Sequence, residues 1–167
     1  MSLVLLLRHA RAARAVPGMA DFDRPLEQRG LSDARAAGEW MAAAGYRPDL
    51  VLCSAAQRTR ETWTCIEPAL GEPRDGVFFM RQLFNGDADA YLDAIRTADA
   101  DSVLVIGHNP MIELTARMLI DEAGLGRDDG PAAGFPTSGL AAIRFPGPLS
   151  TIKANTGVLE GFLVPRD

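Results

Sequence analysis

The chain contains two histidines, His9 and His108, and each closely follows an apolar run that is typical of a buried strand. Arg8 directly precedes the first histidine, and Arg58 follows another short apolar run by a few residues. Imidazole and guanidinium groups together suit phosphoryl transfer, because the charge spread over the phosphoryl oxygens is stabilised by fixed positive charge and planar donors. These four residues are therefore the first candidates for chemistry.

The same residues predict a covalent route that needs no cofactor. His9 attacks phosphorus with a neutral ring nitrogen, which gives a phosphohistidine intermediate that water then hydrolyses. Arg8 and Arg58 hold phosphate oxygens with their guanidinium groups, and His108, if protonated in the complex, adds a third cationic donor. Backbone N–H groups at the start of the helix after Asn109 are expected to add further donors.

Two other chemistries fit the sequence poorly. Zinc usually takes three or four protein ligands, but no Asp or Glu is spaced tightly around either histidine, and Cys53 and Cys65 form no ligand pair. We interpret both cysteines as reduced structural residues. A serine hydrolase needs a sharply presented nucleophile, and no Gly-x-Ser-x-Gly elbow surrounds Ser54. A metal site and a Ser–His–Asp triad are therefore not expected.

Several short apolar runs and periodic segments predict the elements that position these residues. Strands are predicted at residues 3–7, 50–53, 77–80, 102–106, 140–145 and 151–156. Helices are predicted at residues 32–44, 56–70, from 87 or 89 to 98, and from 110 to 123. Residues 124–136 predict a long loop. Strands alternating with helices predict an α/β three-layer sandwich with a mostly parallel central sheet flanked by helices, in a single domain over residues 1–167.

The predicted sheet places the candidate residues at one edge. In open α/β sheets, ligands bind beyond the carboxyl ends of the strands. The residues that follow the first, second and fourth strands are Arg8-His9, the stretch from Ser54 to Arg58, and His108-Asn109. We therefore expect the two imidazoles to converge around a space that fits a phosphoryl group.

Charge and hydropathy restrict the partners. The net charge of -5 makes nucleic acids and acidic membranes unlikely ligands for the chain as a whole. All but one of the 17 cationic residues are arginines, Lys153 being the exception. The apolar run at residues 3–7 is too short for a signal peptide or a membrane span, so a cytoplasmic location is expected.

Three sequence blocks resemble those of a known family. Leu7-Arg8-His9-Ala10 resembles the Arg-His-Gly signature of the histidine phosphatase superfamily, which has the phosphoglycerate mutase-like fold. The stretch from Ser54 to Thr62 resembles its Ser-x-x-x-Arg-x-x-x-Thr block, and Gly107-His108-Asn109-Pro110 resembles its third block. This resemblance covers about residues 3–145. It implies that four residues form the phosphate pocket: Arg8, His9, Arg58 and His108.

The resemblance narrows to one subfamily. The segment from Asp21 to Leu26, followed by Arg29-Gly30, is similar to the Asp-x-x-Arg-Pro-Leu segment of SixA-type phosphohistidine phosphatases. The short length and the Thr137-Ser138 pair are similar as well. That subfamily lacks the large helical insertions of phosphoglycerate mutases, so no large cap is expected. By this resemblance Asp21 and Arg24 line the rim of the pocket.

Two positions depart from the family pattern. Ala10 replaces a glycine, which is harmless if the backbone there has φ < 0. Many relatives carry a Glu as general acid after the third strand, where this chain has Gln82, and others carry an Asp where this chain has Asn109. Asp21 is then the best candidate acid. Glu61 is an alternative, although it is expected on a solvated helix face.

A site without a strong acid favours leaving groups that need little protonation. The conjugate acid of imidazole has a pKa of about 6.5, whereas that of an alkoxide lies near the value for water, about 15.7. We therefore expect hydrolysis of a phosphohistidine or phosphomonoester through phosphorylated His9, with a phosphorylated protein or a small phosphorylated metabolite as partner. The predicted phosphate-binding residues are Arg8, Arg58, His108, Asn109 and Arg24.

Other interpretations stay open. The chain could instead be a phosphatase for sugar or nucleotide phosphates, or a weakly catalytic phosphate-binding regulatory module. Ser54 can be explained as a helix N-cap, and Asp21 and Arg24 as a structural ion pair. Three further arginines are interpreted as solvated: Arg11, Arg14 and Arg60.

Overall fold

A mixed sheet forms the centre of the computed structural model, which describes residues 1–165. Its strands are β1 (Ser2–Arg8), β2 (Leu50–Ser54), β3 (Val77–Met80), β4 (Ser102–Gly107), β5 (Leu140–Phe145) and β6 (Val158–Leu163). They lie in the order β3-β2-β4-β1-β5-β6. The pairings among β1, β2, β3 and β4 are parallel, whereas β5 pairs antiparallel with both β1 and β6. The predicted α/β fold with a mostly parallel sheet is confirmed.

Helices cover both faces of this sheet. They are α1 (Gln28–Ala43), α2 (Gln57–Leu70), α3 (Gln82–Asn85), α4 (Ala88–Arg96), α5 (Met111–Leu119) and α6 (Glu122–Leu125). Short 3-10 turns cover Asp21–Asp23, Pro131–Ala133 and Leu149–Thr151. Within residues 1–165, no helix is long and apolar enough to cross a membrane. Residues 166 and 167, the last two of the predicted domain, lie outside the described residues.

Strand β1 shows why its sequence is apolar without alternation. Val4 and Leu6 pack in a core with residues of α4 and α5, whereas Leu3, Leu5 and Leu7 pack on the opposite face with residues of α1 and α2. Both faces of the strand are therefore buried, as is usual for a central parallel strand. This burial fixes the direction in which the chain leaves the sheet at Arg8 and His9.

Helix α1 begins at Gln28, four positions before the sequence-based prediction. Gly30 lies in the first turn of this helix, although glycine usually favours loops. The residue is a glycine because the backbone of Arg11 packs closely against it. A Cβ at Gly30 would lie 2.2 Å from the carbonyl oxygen of Arg11. The glycine is therefore a packing requirement and not a helix boundary.

Two predictions near the carboxyl end of the chain are wrong. Helix α5 ends at Leu119 instead of residue 123, because Ile120 is extended, with φ -73 and ψ 139, and forms a bridge with Gly157. The strand predicted at residues 151–156 is instead a turn, in which Asn155 has φ 61 and the hydroxyl of Thr156 bonds the carbonyl of Lys153. The last strand, β6, follows this turn.

Candidate active site

The exits of β1, β2 and β4 surround a cleft of about 490 Å³. The ring centroids of His9 and His108 lie 5.2 Å apart there, although the residues are far apart in the chain. The structure thus brings together all four residues that the sequence singles out for phosphate. The lining residues are Arg8, His9, Arg11, Ala12, Arg14, Arg24, Glu27, Arg58, His108, Asn109 and Thr137.

The hydrogen bonds of His9 define its tautomer. Its Nδ1 lies 2.7 Å from the carbonyl oxygen of Ala10, and because a carbonyl only accepts, Nδ1 must carry the hydrogen. Nε2 therefore presents a lone pair, toward which Arg58 Nε donates at 3.4 Å. Burial lowers the pKa of His9 to about 4. The ring is thus neutral at physiological pH, which is the state that a nucleophilic imidazole requires.

His108 is held by two hydroxyl groups. Its Nε2 lies 2.7 Å from Ser54 Oγ, which itself accepts from the N–H of Ala56. Because a hydroxyl can donate or accept, Nδ1 of His108 carries the ring hydrogen in the tautomer in which Ser54 donates to Nε2. The backbone N–H of His108 donates to the hydroxyl of Tyr91 at 3.1 Å. Burial, followed by repulsion from His9, lowers the pKa of His108 to about 3, so in the free protein this ring is a neutral donor and not a cationic one.

Three buried polar atoms at this edge have no hydrogen-bond partner among the described residues: Arg8 Nε, His108 Nδ1 and Ser138 Oγ. Buried polar groups are almost always paired, so such atoms need an explanation. Two of the three, Arg8 Nε and His108 Nδ1, belong to residues that line the cleft. Both residues are among the four that the sequence singles out for phosphate.

The carbonyl oxygen of Phe135 fixes two residues of the cleft. It accepts from Arg8 Nη1 and from Asn109 Nδ2, each at 3.0 Å. The side-chain oxygen of Asn109 accepts from the N–H of Glu113, and the N–H of Ile112 donates to the carbonyl of His108. The predicted free N–H donors at the start of α5 are thus already occupied at these two positions, and both ends of the Asn109 amide are in use.

Asp21 is the acid that the sequence favours, but its surroundings argue against that role. Its carboxylate accepts from Arg24 Nη1 at 3.0 Å and from Arg58 Nη2 at 3.1 Å. The bond from Arg24 and then that from Arg58 hold the pKa of Asp21 below its usual value. A carboxyl group in this setting stays ionised at neutral pH and does not donate a proton. Asp21 instead orients Arg58, while Arg24 also donates to the carbonyl of Ala13.

Neither Glu61, the predicted alternative, nor Gln82 or Glu27 replaces it as an acid. Gln82 is exposed and borders a separate groove, which is lined by residues of β2, β3 and α4. Glu61 is half-buried, not solvated as predicted, and accepts from the N–H of Leu26. Glu27 is the one carboxylate among the described residues that line the cleft, and it pairs with Arg11 Nε at 3.0 Å.

Ala10 fits its position without strain. Among the described non-glycine residues, only Ser138 and Asn155 have positive φ, so the loss of the family glycine has no backbone cost at Ala10. The N–H of Ala10 donates to the hydroxyl of Thr62 in α2. Ser138, with φ 58, donates its N–H to the carbonyls of both Arg8 and His9.

Sequence reasoning missed three residues that shape the site. Tyr91 anchors the backbone of His108, and Phe135 holds Arg8, but neither carries a local motif. Phe84 packs edge-on against the His108 ring at 5.5 Å and lies 5.9 Å from the guanidinium carbon of Arg58. The sequence offers one indication of this role, because Phe84 directly follows Gln82-Leu83, the pair at the family's acid position beyond the third strand.

No group of three or more His, Cys, Asp or Glu that could hold a metal ion occurs within residues 1–165. Cys53 and Cys65 are free. Burial raises the pKa of Cys53 to about 12, which leaves it an unreactive thiol.

Comparison with known proteins decides the family. A model of the histidine phosphatase superfamily, branch 1, matches residues 4–77, which include His9 and Arg58. The chain is 34% identical to an uncharacterised protein of Mycobacterium tuberculosis, over 96% of this chain and 100% of that protein. The chain belongs to the histidine phosphatase superfamily.

Two further relatives place this superfamily member near SixA. A structure from Agrobacterium tumefaciens, assigned as phosphohistidine phosphatase SixA, is 36% identical, covers 98% of each chain and superposes with a TM-score of 0.80. Phosphohistidine phosphatase SixA of Escherichia coli strain K12 is 29% identical over 65% of this chain and 68% of that protein. Membership in this group supports a phosphatase function.

Proposed function

We propose that this phosphatase works through a phosphoryl group carried on His9. The observation that carries the proposal is the tautomer of His9: its Nδ1 is committed to the carbonyl of Ala10, so the Nε2 lone pair faces the cleft beside Arg58. The Nε2–P bond forms as the bond from phosphorus to the leaving group breaks, and the leaving group departs with the electron pair. Water then attacks phosphorus, the N–P bond breaks, and orthophosphate and neutral His9 are released.

The other residues stabilise the charge on the transferring group. Arg58 Nε already points at the attacking nitrogen, while Arg8 Nε and His108 Nδ1 supply buried donors without other partners in the described chain. Fixed donors of this kind are usually the largest contribution to such a reaction. Asn109 and Arg24 act indirectly in this proposal, the first by fixing Phe135 and the second by holding Asp21.

A phosphohistidine on a protein is the substrate that this site supports best. The acid candidates are either ion-paired, amides or outside the cleft, and an imidazole leaving group needs little protonation. The relatives named SixA in Agrobacterium and Escherichia are phosphohistidine phosphatases by name. A cytoplasmic location, where phosphorylated signalling proteins occur, fits this proposal. A small phosphorylated metabolite is the alternative substrate.

A substrate panel tests the proposal. Turnover should be compared for a phosphohistidine-containing domain, sugar phosphates and para-nitrophenyl phosphate, whose leaving group needs little protonation. We expect the phosphohistidine and the nitrophenyl ester to be hydrolysed much faster than the sugar phosphates, and His9→Ala to abolish all turnover. Faster turnover of sugar phosphates would overturn the substrate assignment. Phosphate binding without any turnover would identify a regulatory module instead.

A further inference from the structure

We propose that Arg11 and Arg14 form a second anion subsite at the mouth of the His9 cleft. It would bind a carboxylate or phosphate that the substrate carries beside the phosphoryl group to be removed. This inference rests on the proposed function, because it concerns the substrate of the same site. Both arginines are exposed, as predicted, and both also line the cleft.

The charge of the cleft is the first observation. The chain has a net charge of -5, but five arginines and a single carboxylate, Glu27, line this cleft. The scissile phosphoryl group already faces the nucleophile His9 and three donor residues: Arg8, Arg58 and His108. Its three peripheral oxygens are accounted for by these residues, so the other arginines of the cleft are not needed to bind it. The cleft of about 490 Å³ is also large enough for a ligand well beyond a single phosphate.

The free donors on the two arginines are the second observation. Arg11 uses only Nε, for Glu27, and both its terminal nitrogens lack a hydrogen-bond partner in the described chain. Arg14 has no hydrogen bond or ion pair with any residue in the range 1–165. Arg24, by contrast, donates from Nε to the carbonyl of Ala13 and from Nη1 to the carboxylate of Asp21. Four terminal nitrogens, two on each of Arg11 and Arg14, thus have no partner in the described chain and are available to a ligand at the cleft mouth.

The backbone beneath the two arginines is firmly held, which distinguishes this subsite from a loose surface loop. The N–H of Glu27 donates to the carbonyl of Arg11 at 3.0 Å, and the N–H of Ala13 donates to the carbonyl of Pro25 at 2.8 Å. Ala12 pairs with Leu26 as an antiparallel bridge. Gly30 lets α1 approach the Arg11 carbonyl closely, as described above. The two side chains therefore project from a backbone that is held at Arg11, Ala12 and Ala13, which limits the positions that their guanidinium groups can reach.

A series of phosphonate inhibitors tests the subsite without chemistry at phosphorus. The probes are ω-phosphonocarboxylates with one to four methylene groups, each compared with the alkylphosphonate of equal length, as inhibitors of para-nitrophenyl phosphate hydrolysis. We expect at least one carboxylated probe to bind about fivefold more tightly than its uncharged partner, as for exposed charge pairs. This advantage should shrink when the ionic strength is raised, because exposed charges are screened.

Matched variants assign the effect. Arg11→Ala/Arg14→Ala should remove the advantage of the carboxylated probe and leave inhibition by the alkylphosphonates unchanged. Arg35→Ala, which removes an exposed arginine of α1 outside the cleft, should leave the advantage intact. No advantage at any length, or an advantage that survives in the double variant, overturns the subsite. Hydrolysis that depends on His9 would then still support the proposed function.

Two substrate pairs identify the source of the second anion. One pair is a phosphohistidine peptide flanked by glutamates and its glycine-flanked equivalent. The other pair is a sugar bisphosphate and the corresponding monophosphate. A preference for the charged member that disappears in the double variant supports the subsite and names its ligand, as an acidic protein segment in the first case and a metabolite in the second. Equal kcat/KM within both pairs contradicts the proposal.

Discussion

The two imidazoles of the site are buried and uncharged at neutral pH, although cationic residues surround them. Burial lowers the pKa of His9 to about 4 and that of His108 to about 3, and nearby arginines act in the same direction. A protonated His9 could not attack phosphorus, so the protein places its positive charge on guanidinium groups and keeps the nucleophile neutral. The arginines thus supply the positive charge of the pocket, and His9 supplies the neutral nucleophile.

The neutral histidines predict how stability depends on pH. In the unfolded chain they titrate near 6.5, whereas in the folded protein they do so at about 4 and about 3. The unfolded state binds more protons between these values, so the free energy of unfolding falls as the pH drops below about 6.5. We expect a lower Tm at pH 5 than at pH 7. The difference should be smaller in the double variant His9→Gln/His108→Gln, and an unchanged difference would contradict these ionisation states.

Arg58 donates to the attacking nitrogen of His9 at 3.4 Å, so its loss should affect the chemical step. We expect Arg58→Ala to lower kcat by about 100-fold, the usual effect of removing one transition-state donor. Arg60→Ala is the matched control, because Arg60 lies on the same helix but stacks on Phe79 outside the cleft, 4.1 Å from the ring centroid. Its kcat should stay within about threefold of wild type. A change below threefold for Arg58→Ala would remove Arg58 from the pocket.

The residues that react could be predicted from the sequence, whereas their surroundings could not. His9 and His108 follow strands in recognisable blocks, and strand exits meet at one edge of a parallel sheet. The ion pairs of Asp21 depend on how a loop folds back across the cleft, and no local pattern encodes that. The carbonyl of Phe135 is a backbone atom, so its role leaves no trace in residue type.

At the scale of elements, the end of β4 is positioned by helix α4. Tyr91, which is 0% exposed, accepts from the N–H of His108 and donates to the carbonyl of Leu83 in α3. A Cβ at Gly107 would lie 2.4 Å from this hydroxyl, so only glycine allows the approach. One hydroxyl therefore ties the third and fourth strand exits together directly beneath the site.

Removal of this hydroxyl should cost both stability and activity. Tyr91→Phe leaves a buried N–H and a buried carbonyl without a partner, and each such group costs about 1–3 kcal/mol. We expect the free energy of unfolding in urea to fall by about 2 kcal/mol or more, with a several-fold loss in kcat/KM. Tyr46→Phe removes an exposed hydroxyl bonded to Glu160 and should change the free energy of unfolding by less than about 0.5 kcal/mol. Equal effects of the two substitutions would contradict the role of Tyr91.

The elements themselves were predicted with unequal success, for a physical reason. Strands buried on both faces, such as β1 and β4, have continuous apolar runs and could be predicted closely. The edge strand β6 has only one fully buried residue, Leu159, so its pattern is weak. Ile152 is apolar and buried although it lies outside any strand, and for this reason the last strand was predicted too early in the chain, at residues 151–156.

At the scale of the whole molecule, an acidic chain concentrates arginines in one cleft. The field of such a cleft attracts anionic substrates while the net negative charge disfavours nucleic acids. The composition indicates the sign of the net charge but not this local reversal, because Arg24 and Arg58 join the arginines of residues 8–14 only in the folded chain.

Phosphate binding by arginine and histidine donors predicts that activity does not depend on divalent metals. We expect prolonged dialysis against EDTA to leave the rate of para-nitrophenyl phosphate hydrolysis unchanged, and added Mg²⁺ or Zn²⁺ to produce no increase. A clear loss of activity that one specific metal restores would reopen a metal-assisted mechanism.

The phosphorylated enzyme itself is the most direct test of the account. The protein should be mixed with isotopically labelled para-nitrophenyl phosphate, quenched in alkali, digested and mapped by mass spectrometry, with NMR to assign the ring nitrogen. We predict label on His9 at Nε2, because Nδ1 is bonded to the Ala10 carbonyl, and no label in His9→Ala. Label on a serine, on His108, or on no residue during rapid turnover would contradict the mechanism.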